Sequence, residues 1–371
     1  MFINFWYCAA VSRDLKETPR RVRMLGQDFV LFRDASKKVH CLHDVCVHRG
    51  ASLAGGLVKD DCIQCPYHGW LYDGDGACLH MPTLVGTDGR IPKRARVDSY
   101  PTEEKYGLIF VFLGDLPEAE RPPMLEVNEW ELEGWDHTIQ QWELDYPYLR
   151  AVENAMDVFH NDLVHPEFMI PDEHQGTREV LLLDFTETDW STTFKTRLPG
   201  NELDGQTGMT TIQGNQTSEV ATGHISVSNY FSFIQISKHD RLCLYFYATP
   251  LSRSRTCITL LTTRNFMPGK DQDKTMMQGN EHILMQDVRV VSNLQPGPAP
   301  DTNVTELLLP EDRGVIGYRQ RAKEWTERGW RIDSDTLGAD SSNRVYAIPG
   351  PARRTNGTWV TAPVPLIPAA S

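Results

Sequence analysis

Two short stretches of this sequence carry residues that hold metals. The first is Cys46-Val-His48, followed after sixteen residues by Cys65-Pro-Tyr-His68. Two pairs of this kind, each on its own loop, suit a two-iron two-sulfur cluster: the thiolates bind one iron and two neutral imidazoles the other. Imidazole in place of thiolate removes negative charge, which raises the reduction potential. It also leaves ring nitrogens that hydrogen-bond or lose protons. Gly50, Gly55, Gly56 and Gly69 permit tight backbone approach, and Pro66 stiffens the second loop. The competing reading is a single zinc ion held by Cys46, Cys62, Cys65 and a histidine. Cys62-x2-Cys65 has the right spacing for it, but Cys-x-His paired with Cys-x2-His at this separation is not an ordinary zinc pattern. Cys8, Cys41, Cys62, Cys78, Cys243 and Cys257 read as small core residues.

The second stretch is Glu153-Asn154-Ala-Met-Asp157-Val-Phe-His160-Asn-Asp-Leu-Val-His165-Pro166. Asn154, Asp157 and His160 recur every three residues, which predicts one shared helical face. His165 would lie about 140° from His160 on a regular helix, so the two rings meet only if the helix widens or breaks. Pro166 biases His165 out of helical geometry and predicts a break there. Two histidines so placed are two thirds of a facial triad for non-haem Fe(II), which keeps positions open for oxygen. For the third ligand, Ile283, Leu284, Val290, Val291 and Leu294 predict an apolar helical stripe with Asp287 in its middle. A carboxylate facing a core needs compensation, and a metal supplies it. The alternative is a helix-edge aspartate paired with Arg289; Glu167 and Glu281 are the fallback carboxylates.

The elements that must position these residues follow from periodicity. Residues 1 to about 115 read as short strands and turns, with Gln27–Phe32, Lys38–Leu42 and Tyr106–Leu113 as strands and Asp73–Gly76 as a tight turn. Residues 116–125, rich in proline and charge, read as a linker. From 126 to 345 a second domain is expected. It has a helix near 149–165, alternating strands such as 224–237 and 241–250, a helix over 271–295, and an amphipathic segment at 317–330 with one aromatic face on the sheet. Residues 346–371 read as an extended tail. Glu153 falls off the Asn154–Asp157 face and reads as a folding residue. The other histidines, His43, His224 and His282 among them, match no ligand spacing. Tyr67 and Trp70 either donate hydrogen bonds around the cluster or pack its loops.

Composition narrows the function. The chain has 371 residues, 40% of them hydrophobic and 23% charged, which is globular and able to bury a core without disulfides. A formal charge of −13 argues against a general nucleic-acid binder. The longest apolar run, Leu108–Leu113, is far short of the ~20 residues of a membrane span. The N-terminal sequence lacks a basic leader, and four cysteines crowd between 41 and 65 beside histidines, so metal in a reducing cytoplasm is the expectation.

CVHRGASLAGG followed by CPYHGWLYDGDGAC resembles the Rieske domain of the Rieske non-haem iron oxygenases, over about residues 4–113. The N-x2-D-x2-H-x4-H pattern and the later QDVRVV segment resemble the family's catalytic domain. The resemblance implies an α+β protein: an N-terminal all-β Rieske domain, then a C-terminal helix-grip domain with an antiparallel sheet flanked by helices. It implies that Cys46 and Cys65 bind one cluster iron, His48 and His68 the other, and that His160, His165 and Asp287 bind a mononuclear Fe(II). Asp157 would orient His160 in its own subunit and reach His68 of the neighbouring subunit; Asn154 would hydrogen-bond near the iron. Asn154 precedes Asp157 by three residues, as in single-subunit-type members such as dicamba and vanillate demethylases; ring-dihydroxylating members have four. The implied function is a terminal oxygenase component, active as a homotrimer. It would take O2 as co-substrate and electrons from NAD(P)H through a separate reductase, directly or by a ferredoxin. It would hydroxylate or oxidatively demethylate a small aromatic or cyclic molecule. The alternatives are cis-dihydroxylation of a ring, which differs in product, and a Rieske electron carrier, which would lack the mononuclear iron.

Overall fold

Strand alternation builds most of this molecule. The computed structural model describes residues 1–84, 89–165, 182–203, 210–300, 304–340 and 342–370. Their contacts divide into two units: Met1–Pro122 with Leu251–Arg253 and Trp325–Ser371, and Pro123–Pro250 with Ser254–Glu324.

The first unit holds three antiparallel sheets. One orders Phe5–Val11, Leu108–Leu113 and Thr102–Lys105, with the central strand buried at every position. A second orders Arg20–Met24, Gln27–Arg33, Val39–His43 and Ser99–Tyr100. The third, of Leu57–Lys59, Cys62–Gln64, Leu71–Tyr72 and Cys78–His80, carries one of the Cys/His loops between its second and third strands. Asp73–Gly76 is the expected turn, closed by Gly76 N–H on the Asp73 carbonyl at 3.0 Å with Gly76 at φ 78°.

The C-terminal segment differs from its sequence reading. It does not trail as a loose tail, and contacts group everything from Trp325 onward with the first unit. Trp325 is fully buried edge-on to Phe5 at 4.9 Å. Tyr346–Ala347 pairs in parallel with Ala362–Pro363, and Ile348 and Val364 are buried. The fastening is ionic: the Arg353 guanidinium forks onto Asp98, with Nε–Oδ1 at 2.6 Å and Nη2–Oδ2 at 2.7 Å. Composition could not reveal a partner more than 250 positions away. Asp98 is fully buried, so Arg353→Ala leaves an unpaired charge in the interior. That substitution is expected to destabilise the first unit by ~3 kcal/mol. A lowered melting temperature and earlier proteolysis beyond residue 340 would show it; an unchanged melt would mean that Thr361 and the Gly350 amide hold Asp98 alone.

In the second unit a seven-stranded antiparallel sheet runs Asp136–Leu144, Thr256–Arg264, Arg241–Pro250, Asn229–Gln235, Thr210–Ile225, Ser191–Leu203, Leu183–Glu187. Alternation is clearest in Arg241–Pro250, where Cys243, Tyr245 and Tyr247 point inward. The apolar stretch 224–237 is not one strand. It turns at Ser226–Ser228, with Ser226 at φ 65°, and contributes to two neighbours in the sheet.

Four helices matter for the site: α1, Tyr148–Met156; α2, Asn161–Val164; α3, Lys270–Val291; and α4, Arg313–Glu327. Helix α3 lies along the first strand of the sheet, where Gln140 Nε2 donates to the Met277 carbonyl at 2.9 Å and Asn280 Nδ2 donates to Thr262 Oγ1 at 2.9 Å. Its inward face is Met276, Asn280, Leu284, Asp287 and Val291, a 4-4-3-4 spacing. Val290 and Leu294 are exposed, so the stripe expected from sequence is displaced, with Asp287 still within the inward face. Glu153 on α1 is buried in a four-charge network: Arg150 and Arg319 each bind both Glu153 and Glu306 at 2.6–2.9 Å. The amphipathic segment does not lay one aromatic face on the sheet. Tyr318 donates to the Val227 carbonyl, while Trp325 belongs to the other unit. No helix among the described residues is long and apolar enough to cross a membrane.

Candidate metal centres

The two Cys/His loops of the first unit share one construction. In the first, Cys46 N–H donates to the Ala51 carbonyl at 2.8 Å, and Gly50 N–H returns to the Cys46 carbonyl at 2.9 Å. In the second, Cys65 N–H donates to the Trp70 carbonyl at 2.8 Å, and Gly69 N–H returns to the Cys65 carbonyl at 3.1 Å. Both closing glycines have positive φ, 77° and 70°, a conformation in which a Cβ is strained. Each loop thus buries its sulfur and offers its histidine outward: Cys46 and Cys65 are buried, while His48 is exposed and His68 half-buried. The two imidazoles meet with ring centroids 4.4 Å apart. Trp70 stacks flat on His48 at 4.5 Å, and Tyr67 covers His68 at 3.9 Å. Both aromatic rings therefore pack the loops.

The donor set fits an iron–sulfur cluster rather than one ion. Among the described residues, the single group of three or more donors close enough for one metal lies elsewhere, so Cys46, Cys62, Cys65 and a histidine do not converge as the zinc alternative requires. Burial pushes the Cys46 thiol up to about 11, and a coordinating metal is what deprotonates such a thiol outright. Partial desolvation and the facing His68 lower His48, the direction that favours the neutral ring a metal binds. His68 Nδ1 is buried with no hydrogen-bond partner among the described residues, as a ring nitrogen reserved for a metal would be. None of the eight cysteines is in a disulfide. Two residues to which the sequence reading gave no role support the loops. Tyr72 places its hydroxyl 3.2 Å from Cys46 Sγ. Buried Asp44 accepts from Ser52 Oγ and the Ala54 amide and pairs with Arg21 at 2.9 Å.

The group of donors close enough for one metal is His160, His165 and Asp287, with one ligand atom from each within 4.8 Å of the others. Helix α1 ends at Met156, and Asp157 caps it in extended geometry at ψ 112°. The chain then turns, so Asn154, Asp157 and His160 do not share a continuous helical face. Asp157 itself makes the break: its Oδ1 accepts the Phe159 amide at 2.8 Å, a local side-chain bond that competes with helix. α2 is one turn long and ends at His165, which leaves helical geometry at ψ 86°. Pro166 and Glu167 lie outside the described residues. With two breaks, not one, the imidazoles come face to edge at 5.3 Å.

Asp287 Oδ1 lies 3.4 Å from His160 Nε2 and 3.2 Å from His165 Nε2. It is buried and lacks the alignment for a hydrogen bond to either. Three donor atoms turned on one another, with the carboxylate oxygen orphaned, is the arrangement a cation would complete. Burial pushes Asp287 up, yet the two facing imidazoles outweigh it and hold the carboxyl well below its usual range. Burial likewise lowers His160, and the carboxylates of Asp287 and Asp157 overcome that and raise it. Each imidazole is oriented through Nδ1: that of His160 by the main-chain carbonyl of Asp157 at 2.6 Å, that of His165 by Gln286 Oε1 at 2.8 Å. Asp157 therefore orients His160 by its backbone, not by its carboxylate as expected. Asn154 gives its carbonyl to the Asp157 amide, and its side chain makes no hydrogen bond among the described residues. Glu281 is exposed, away from the group. Gln286 opens the QDVRVV segment, but an uncharged amide there carried no ligand signal, so its role beside His165 was not legible.

A family model described as the Rieske [2Fe-2S] domain matches residues 5–101, and one described as the vanillate O-demethylase oxygenase C-terminal domain matches 144–328. The phenoxybenzoate dioxygenase subunit alpha of Ectopseudomonas oleovorans is 35% identical over 177 residues, 44% of this chain and 43% of that protein. The 5,5'-dehydrodivanillate O-demethylase oxygenase subunit of Sphingobium sp. (strain NBRC 103272 / SYK-6) is 31% identical over 200 residues, 52% of this chain and 46% of that protein. The chain thus spans about half the length of the curated relatives it matches. In fold, NdmB of Pseudomonas putida CBB5 superposes with a TM-score of 0.72 at 22% identity, covering 86% of this chain and 90% of that one. Two matched domain models in tandem, over an α+β fold shared along most of the chain, establish that it belongs to the Rieske non-haem iron oxygenases.

Proposed function

We propose that this chain is the terminal oxygenase component of a Rieske-type system that hydroxylates, or oxidatively demethylates, a small aromatic or cyclic substrate. The observation that carries the reading is the His160–His165–Asp287 group on a chain that also presents paired Cys/His loops. In this reading Cys46, Cys65, His48 and His68 hold a [2Fe–2S] cluster, and His160, His165 and Asp287 hold Fe(II). When bound, the two centres supply single electrons and the activation of O2. The balance is one substrate C–H, O2, two electrons and two protons giving C–OH and water. Where the attacked carbon bears oxygen or nitrogen, the product collapses to an aldehyde and the dealkylated molecule. The match to a vanillate O-demethylase domain supports this outcome. A relative named a dioxygenase supports cis-dihydroxylation as a second reading.

The electrons come from NAD(P)H through a separate reductase, directly or by a ferredoxin, and the working form is a cytoplasmic homotrimer. Uptake of oxygen-18 gas with a generic reductase and a panel of methoxy- and N-methyl-substituted aromatics tests the reaction. One labelled oxygen per turnover, in a hydroxylated product or in formaldehyde trapped before it exchanges with water, supports monooxygenation, and two in a cis-diol supports the second reading. No O2 consumption, in protein carrying the cluster, would leave an electron carrier.

Asp157 has a distinct role in this proposal. Its Oδ1 and carbonyl are used within the turn, and Oδ2 makes no hydrogen bond among the described residues. That oxygen is the group offered to His68 of a neighbouring copy, with Asn154 beside the iron. In Asp157→Asn the carbonyl still receives His160 and the amide oxygen still accepts from Phe159, so both centres should be retained while reductase-driven turnover falls about 100-fold. Loss of the mononuclear iron instead would show that the carboxylate builds the site rather than connects it.

A further inference from the structure

We propose that Gln286 is the positioning residue that sets the tautomer of His165, and that it does so as an uncharged acceptor. The inference rests on the reading of His160, His165 and Asp287 as an iron site. His165 is almost fully buried, with Nδ1 2.8 Å from Gln286 Oε1 and Nε2 facing Asp287 Oδ1 at 3.2 Å. A neutral imidazole carries its proton on one nitrogen and its lone pair on the other. An amide oxygen only accepts, so this bond places the proton of His165 on Nδ1 and turns the Nε2 lone pair toward Asp287.

The orientation of the amide is itself held. Gln286 Nε2 lies 3.0 Å from Nε2 of His282, one turn earlier on α3. An amide nitrogen only donates, so an accepting His282 leaves Oε1 aimed at His165. Helix α3 therefore presents two consecutive residues to one centre: Asp287 as donor to the metal and Gln286 as keeper of the facing imidazole. The neutrality of Gln286 also matters. A carboxylate there would fix the same tautomer while placing a second negative charge beside Asp287. An amide fixes it without changing the charge of the site, as the Asp157 carbonyl does for His160.

Co(II) titration of the full chain, with its cluster intact and the mononuclear iron removed, tests this by affinity and by the ligand-field difference spectrum. Gln286→Leu removes the acceptor and should weaken Co(II) about 10- to 100-fold with an altered spectrum. Gln286→Glu restores the acceptor and adds charge, so it should bind at least as tightly as the wild type. His282→Ala leaves the acceptor on His165 in place and should cost less than Gln286→Leu. Wild-type affinity in Gln286→Leu overturns the assignment, and so does a Gln286→Glu protein as weak as the leucine variant. A His282→Ala loss equal to that of Gln286→Leu would place the control in His282 and overturn it too. Failure of the wild type to bind Co(II) would overturn the metal-site reading itself, an outcome distinct from all the others.

Discussion

Asp287→Ala protein is expected to purify with one iron fewer per chain than the wild type and with its acid-labile sulfide unchanged. Asp287 is the single carboxylate of the three-donor group, and no other described acidic side chain stands close enough to replace it. Without it, a divalent ion would be held by two neutral imidazoles in a buried site, with no negative charge to offset desolvation. The loss in affinity should therefore exceed the ~10–100-fold that removal of an outer partner costs. The same geometry gives a pH dependence. Facing Asp287, His160 keeps its proton above the ordinary imidazole range, and a metal must displace that proton. Fe(II) affinity should thus decline as pH falls, beginning above the usual imidazole value, by up to about tenfold per unit for each proton displaced. In metal-free protein the sign differs. The depressed Asp287 stabilises the fold until pH falls through its lowered value, and the raised His160 until pH rises through its own. Metal-free protein should accordingly lose stability on the alkaline side, where the holoprotein does not. Equal iron content in Asp287→Ala and wild type would remove the mononuclear centre from the reading.

Cys65→Ser is expected to abolish the cluster, leaving protein without its visible absorption or acid-labile sulfide but still able to bind one divalent ion in the second unit. Cys65 is buried in a core with Cys46, Leu53, Ile63 and Tyr72, under the turn closed by Gly69. A serine hydroxyl fits that volume but does not ionise as a thiol does, so half of one iron's thiolate pair is lost. Because the binding energy of a metal centre is folding energy for the loops that hold it, the first unit should also melt earlier. A colourless wild type that held zinc would contradict this reading at once. A Cys65→Ser protein that kept its absorption would remove Cys65 from the ligand set.

How much of this was legible in the sequence depended on how local each determinant is. The Cys/His loops are local. Each needs a cysteine, a histidine and a closing glycine within five positions, and Gly50 and Gly69 indeed carry the positive φ that closes them. The strands at Gln27–Arg33, Leu108–Leu113 and Arg241–Pro250 were equally legible, since alternation and apolar runs report burial directly. Asp287 could be singled out because a carboxylate within an apolar pattern is costly without compensation. Residue types and spacing alone thus singled out His160, His165 and Asp287, which the structure brings together, and the paired Cys/His loops, whose two imidazoles meet. Tertiary structure decided how they are held. It put the helix break at Asp157, where a side-chain bond to Phe159 outcompetes the helix, and let a main-chain carbonyl rather than a carboxylate orient His160. It brought Gln286 to His165 across 121 positions and Arg353 to Asp98 across 255. Such pairings depend on which surfaces meet once the sheets have formed, and a linear pattern holds no record of which distant side chain will satisfy a buried charge or an imidazole N–H.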